Sequence, residues 1–398
     1  MHSLAENRFF TAGGSIVRII YRRPILRMRL VVVVLASTVF FSSPSFFAAD
    51  TLPSQLSDDV FWRMVSDFSE GSGSFRFEFM SNEREFQSVM PDLIATTKPG
   101  GVYLGVGPEQ NFTYIAATQP KMAFITDIRR ENMLEHLIYK AIFEMSSNRV
   151  EFVSRLFSRK VPAGLTARST ARALFQAYRA TEADREMFTR NLEAIRDRLK
   201  KLHHFEFTGE DDASIEYIYR TIFNAGDAFI YSTGGFGGFR GATYADLMTA
   251  TDGRGEARSY LTTEENFRVV REMEQKNLIV PVVGDFAGPK ALRRIAQYLK
   301  DHNATVSAFY TSNVEQYLFQ QGDDWRRFLS NVATFPMDAS STFIRSAHFA
   351  YNNGSVQPTR QLSGGNFVQL LCPMADLIKA FNQGRIQDYD DVIRRSRP

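Results

Sequence analysis

Gly105, Gly107, Gln110 and Asp127 are the residues whose types and spacing could do chemistry together. Val102-Tyr103-Leu104 is a short apolar run that stops at Gly105-Val106-Gly107, and a helix-sized segment from about Glu109 to Thr118 follows. A second apolar run, Met122 to Thr126, ends on Asp127, 20 positions beyond Gly107. Glycines let backbone approach a ligand with no Cβ in the way. A helix start offers unpaired N–H groups, and an acid at the end of the next strand can accept hydrogen bonds from ribose hydroxyls. Strand, glycine turn, helix, strand, acid is the order of a nucleotide-binding βαβ unit.

Two ligand classes use such a unit. A dinucleotide fingerprint requires a third glycine where Gln110 stands, because a diphosphate needs close backbone contact at that turn. S-adenosylmethionine (SAM) carries no phosphate, so its loop tolerates Pro108, Glu109 and Gln110. The stretch resembles motif I and the following acidic position of class I SAM-dependent methyltransferases, and is similar to an uncharacterised bacterial family of methyltransferase-like proteins. The resemblance runs roughly from Ser57 to Phe319 and is most specific at YLGVGPEQNF, TDIRREN and VVGDF. The chain departs from the pattern at Tyr103, where an acid commonly stands, and at Glu109, where a third glycine is absent.

The resemblance implies a SAM cofactor, held by Gly105, Gly107, Gln110 and Asp127. The sulfonium methyl is already electrophilic, so a methyltransferase mainly aligns donor and acceptor. Asp285, at the end of a later strand, is the expected orienting or basic residue, with Tyr310 and Asn313 as lesser candidates. The competing role for Asp285 is an N-cap ahead of Gly288-Pro289, and for Asp127 an N-cap of the helix running to Met145. The acceptor is not legible.

These residues need a sheet to hold them. Strand-type runs at Val102, Met122, Leu278–Val283 and Thr305–Tyr310 alternate with helical segments of 10 to 15 residues. That alternation predicts an α/β, Rossmann-like, mostly parallel sheet with helices on both faces. Gly105, Asp127, Asp285 and Tyr310–Asn313 then all fall at strand ends, where such sheets bind ligands. Ser57-Asp58-Asp59 is placed to cap a helix beginning near Val60, and Thr262-Thr263-Glu264-Glu265 to open another. Met133, Leu134, Leu137, Ile138, Ala141, Ile142 and Met145 mark a helix with an apolar stripe toward the sheet, leaving His136 on a solvated face. Residues 148–202 read as a helical insertion within a domain spanning 50–398.

Three further features bear on the site. Phe75, Phe77, Asn82 and Glu83 precede the glycine loop and are lid candidates, the phenylalanines equally suited to packing. Residues 232–241 hold five glycines and Arg240, the composition of a mobile loop. His203-His204 lacks cysteine or carboxylate at ligand spacing, so no metal site is expected. Cys372, the single cysteine, excludes an internal disulfide and sits in an apolar run as a buried thiol.

The 398 residues carry 47 basic and 44 acidic side chains, a net charge of +3 that is too small to argue for nucleic acid. Phenylalanine is abundant at 35, which implies aromatic cores or clefts. Leu30 to Ala49 contains no charge and follows five arginines, including the twin pair Arg22-Arg23. This describes an export signal or a membrane anchor over residues 1–49, with the main domain outside the cytoplasm. Export conflicts with a cofactor used in the cytoplasm. A non-catalytic nucleoside-binding or sensing protein on the same fold is therefore the alternative, and an NAD-linked oxidoreductase a weaker one. A small-molecule ligand is expected in each case, and oligomeric state is unspecified.

Overall fold

A computed structural model describes residues 50–75, 79–231, 242–352, 355–358 and 367–397. The expected signal or anchor (1–49), Phe77 and the glycine-rich stretch with Arg240 lie outside the described residues. No helix among the described residues is long and apolar enough to cross a membrane. For the described residues that finding corrects the expectation of a transmembrane chain.

The centre is a seven-stranded sheet. Its strands are β1 (Val102–Gly105), β2 (Met122–Asp127), β3 (Ile279–Val283), β4 (Val306–Ser312), β5 (Met337–Asn352), β6 (Ser355–Pro358) and β7 (Phe367–Pro373). Neighbours run β3-β2-β1-β4-β5 in parallel, with β7 antiparallel to β5 and the tip of β5 paired antiparallel with β6. The class is therefore the predicted α/β, Rossmann-like one. Strands β1, β2 and β3 are buried at every residue, as a parallel sheet covered on both faces requires. Pro281 sits within β3 because β3 is the edge strand, where one missing backbone donor is tolerated.

The helices of the described residues are α1 (Asp58–Phe68), α2 (Met90–Thr96), α3 (Gln110–Thr118), α4 (Arg130–Met145), α5 (Arg149–Phe157), α6 (Ala171–Arg179), α7 (Arg185–Asp197) and α8 (Gly209–Ala225). They continue as α9 (Tyr244–Thr249), α10 (Glu264–Gln275), α11 (Ala291–Asp301), α12 (Val314–Leu318), α13 (Asp324–Val332), α14 (Met374–Asn382) and α15 (Tyr389–Ile393). Ser57 caps α1 through Val60 N, as its position predicts. Thr263 caps α10 through Asn266 N.

Helical structure between α4 and α10 does not stop at residue 202. It runs on through α8, which a Thr208/Asp211 capping box opens, and through α9. The consequence falls on α4. Helices α8 and α10 pack on it, so its outer face is covered and even Glu135, His136 and Lys140 are buried. The solvated His136 expected from the apolar stripe is thus corrected: the stripe is real, but the insertion covers the opposite face. Around Phe112, the rings of His136, Tyr139, Phe143 and Tyr260 stand edge-on at 5.2–5.5 Å. Such aromatic packing is where the phenylalanine excess goes. Cys372 is a buried free thiol in β7.

Candidate functional site

The glycine loop is built from the inside. Asn111, in the first turn of α3, turns its side chain back under the loop. Its Nδ2 donates to the carbonyls of Val106 (3.0 Å), Gly107 (3.1 Å) and Pro108 (2.7 Å), while its Oδ1 accepts from Tyr103 Oη (2.9 Å). A Cβ on Gly105 would lie 1.9 Å from Asn111 Oδ1. Gly105 is therefore required by the fold of the loop itself. Gly107 differs: its φ of +74° favours glycine, and open space surrounds the position its Cβ would take. His136 Nε2 lies 2.9 Å from the Gly107 carbonyl, which can only accept, so Nε2 carries the proton. Burial pushes this imidazole down to about 4, so it is neutral and ties the loop to α4.

Asp127 reaches the predicted place at the end of β2, but its carboxylate is engaged. Oδ1 accepts from the backbone N (2.8 Å) and Nε (3.1 Å) of Arg129, and Oδ2 from Arg129 Nη2 (3.2 Å). Both side chains are buried. Among the described residues Oδ2 accepts only the one bond from Arg129 Nη2. Neither the open ribose acceptor nor a simple helix cap describes it.

Asp285 follows β3, with β2 standing between β3 and β1. Its Oδ1 accepts from Ala287 N (2.8 Å), closing a local turn. It does not cap α11. That role belongs to Glu70, whose Oε1 accepts from Lys290 N (2.8 Å) and Ala291 N (2.6 Å). Asn313 precedes α12 without a side-chain cap bond.

Gln110 stands in the third-glycine position and faces inward. It is 1% exposed, and its Nε2 donates to Glu83 Oε2 (2.9 Å) and to Tyr310 Oη (3.1 Å). Around Glu83 a polar cluster forms that the sequence gives only in fragments. Tyr310 Oη donates to Glu83 Oε2 at 2.9 Å, Gln369 Nε2 to the same oxygen at 3.3 Å, and Ser312 Oγ to Oε1. These partners come from the start of α3, the end of β4 and β7, so the cluster lies at the β1/β4 junction where the strand order reverses. Glu83 and Tyr310 were separately legible as a lid residue and a strand-end residue. Their meeting spans 227 positions and leaves no local signal.

Glu109 precedes α3 and is fully buried, and among the described residues neither of its oxygens makes a hydrogen bond of close, well-aligned geometry. Burial raises it to about 8; the nearby amides of Ser81 and Glu109 itself offset part of this, and the charge of Glu83 adds to it. It is protonated at neutral pH. His203 pairs with Glu144 through Nε2 at 2.7 Å. Among the described residues no group of three or more histidine, cysteine or acidic side chains is placed to hold a metal.

A family model described as Domain of unknown function (DUF7790) matches residues 79–370, and the chain belongs to that family. The match spans the glycine loop, the Glu83 cluster and the helical insertion. Its description names no activity, so it provides no methyltransferase relationship. No curated protein matches the chain.

Proposed function

We propose that the chain binds an adenosine-type ligand, SAM being the leading candidate, beyond the carboxyl ends of β1, β2 and β4. One observation carries the reading: Gly107 presents left-handed backbone with open space on its Cβ side, at the strand-order reversal. The start of α3 supports it, because no side chain caps its first N–H groups. Asp127 Oδ2 would take one ribose hydroxyl. SAM would supply an electrophilic methyl group, and the residues around Gly107 would hold and orient it.

A dinucleotide is disfavoured on two counts. Gln110 fills the turn with a side chain bonded inward, and β7 runs antiparallel where the dinucleotide fold has a parallel sixth strand. Binding without turnover is a second reading, favoured because Asp285 closes its own loop rather than facing the β1/β4 junction.

Titration calorimetry of the full chain with SAM, S-adenosylhomocysteine, adenosine and NAD tests the proposal. The nucleosides should bind and NAD should bind more weakly. Heat from none of the four would remove the adenosine reading.

A further inference from the structure

The segment after α1 crosses the carboxyl ends of β3 and β2. Ser69 Oγ accepts from Val283 N (2.9 Å) and Glu70 N donates to the Val283 carbonyl (2.8 Å), so residues 69–70 lie on the last residue of β3. Further along, Gly73 N donates to the carbonyl of Ile128 (2.8 Å), the residue that follows Asp127 at the end of β2. Ser72 Oγ accepts from Arg130 N (3.1 Å). This approach needs glycine at position 73, where a Cβ would stand 2.3 Å from Ile128 Cγ1.

The two halves of this strap are held unequally. Residues 69 and 70 are also fastened to the start of α11: Glu70 Oε1 accepts from the Lys290 and Ala291 amides, and Lys290 Nζ donates to the Ser69 carbonyl (2.6 Å). Residues 71–74 are exposed. Among the described residues their hydrogen bonds to the rest of the fold are those to Ile128 and Arg130. Exposed backbone bonds of this kind open at low cost, and ligand-site lids are drawn from such segments. Gly71, with open space where its Cβ would be, stands between the two halves as a pivot.

Strand order puts the strap in the ligand's way. The sheet runs β3-β2-β1-β4, so a nucleoside seated on Gly107 with its ribose at Asp127 extends past β2 toward β3. Its base then meets the edge that the strap covers. We propose that residues 71–74 are a latch that lifts from Ile128 to admit the base, pivoting on Gly71 while Ser69 and Glu70 stay on β3 and α11. The inference rests on the adenosine reading and adds its regulation, because the apparent affinity is reduced by the fraction of chains whose latch is down.

A Cβ on Gly73 would lie 3.7 Å from Ile128 Cβ, within the span of a disulfide. Combining Gly73→Cys with Ile128→Cys removes the crowding Cγ1 and Cδ1 atoms and lets oxidation lock the latch. Cys372, the one native cysteine, is buried. The full-length double variant is titrated with S-adenosylhomocysteine and with adenosine, first oxidised and then reduced. The reduced form should bind both within about 3-fold of the wild type, and the oxidised form at least about 10-fold more weakly.

Should the pair fail to fold, Gly73→Pro deletes the donor to Ile128. It should speed association about 3- to 10-fold in stopped flow, a change that a purely structural strap would not give. An oxidised form that binds like the reduced one, or a folded Gly73→Pro variant with an unchanged association rate, overturns the latch and leaves the adenosine reading standing. Thiols that do not cross-link on oxidation also overturn it, since the strap would then not rest on Ile128. A wild type that binds neither nucleoside removes the adenosine reading and the latch with it.

Discussion

Arg129 closes a two-oxygen ion pair on Asp127, with 3% and 8% of the two side chains exposed. The acid at the end of β2 is therefore first a structural partner. Removing it takes the Asp127 carboxylate contacts from a buried guanidinium, and breaking a buried pair by removing one partner typically costs about 3–5 kcal/mol. Asp127→Ala should lose stability on that scale in denaturant titration, well above the roughly 0.5–2 kcal/mol of a lost cap. Asp127→Asn, which keeps an acceptor, should lose less. An alanine variant as stable as the wild type would contradict the pairing.

The two loop glycines should fail for different reasons. Gly105→Ala forces a Cβ to within 1.9 Å of Asn111 Oδ1, displacing the side chain that holds three carbonyls, and should cost about 3 kcal/mol or more. Gly107→Ala meets nothing but carries the left-handed penalty of about 1–2 kcal/mol. Comparing the two midpoints checks the order. A Gly105→Ala variant no worse than Gly107→Ala would mean that Asn111 does not organise the loop.

Stability should fall as pH rises from mildly acidic to mildly alkaline. Burial raises Glu109 and Glu274 from 4.5 to about 8, so the folded chain holds two protons that the unfolded chain gives up across that window. Stability from these acids is fully present below 4.5 and lost as pH climbs through about 8. His136 works in the opposite sense. Lowered from 6.5 to about 4, it loses stability as pH falls through that range. Two acids against one imidazole leave a net decline from 4.5 to 6.5, steeper up to 8. Melting temperatures at pH 6 and pH 8 test this; Glu109→Gln and Glu274→Gln should each flatten the slope. A wild type more stable at pH 8 would sink it.

Glu70 caps α11 from across the fold, 220 positions from Lys290. Glu70→Ala should cost about 0.5–2 kcal/mol, and Asp285→Ala within about 0.5 kcal/mol, since it only closes a turn. Calorimetric melting of the pair decides which acid is the cap. The reverse ranking would return that role to Asp285.

The sequence by itself determined four of the seven strands and the glycine turn after β1. Apolar runs of strand length, those of β1 to β3 stopping at glycine or acid, placed β1 to β4 because a parallel strand buried on both faces is largely apolar, a local property. Ser57 and Thr263 were readable as caps because a cap and its amide lie three positions apart. Tertiary structure decided the state of every polar group at the site. Gln110 read as a broken glycine motif and became the donor that joins Glu83 to Tyr310; His136 read as solvated until α8 and α10 covered it. Asp127 read as free because a side chain's nearest partner, even two positions along, depends on which way the backbone turns after the strand. Periodicity reports which face of an element is apolar. It carries no record of what will be packed against the other face, and at this site that packing fixes charge, tautomer and hydrogen-bond partner alike.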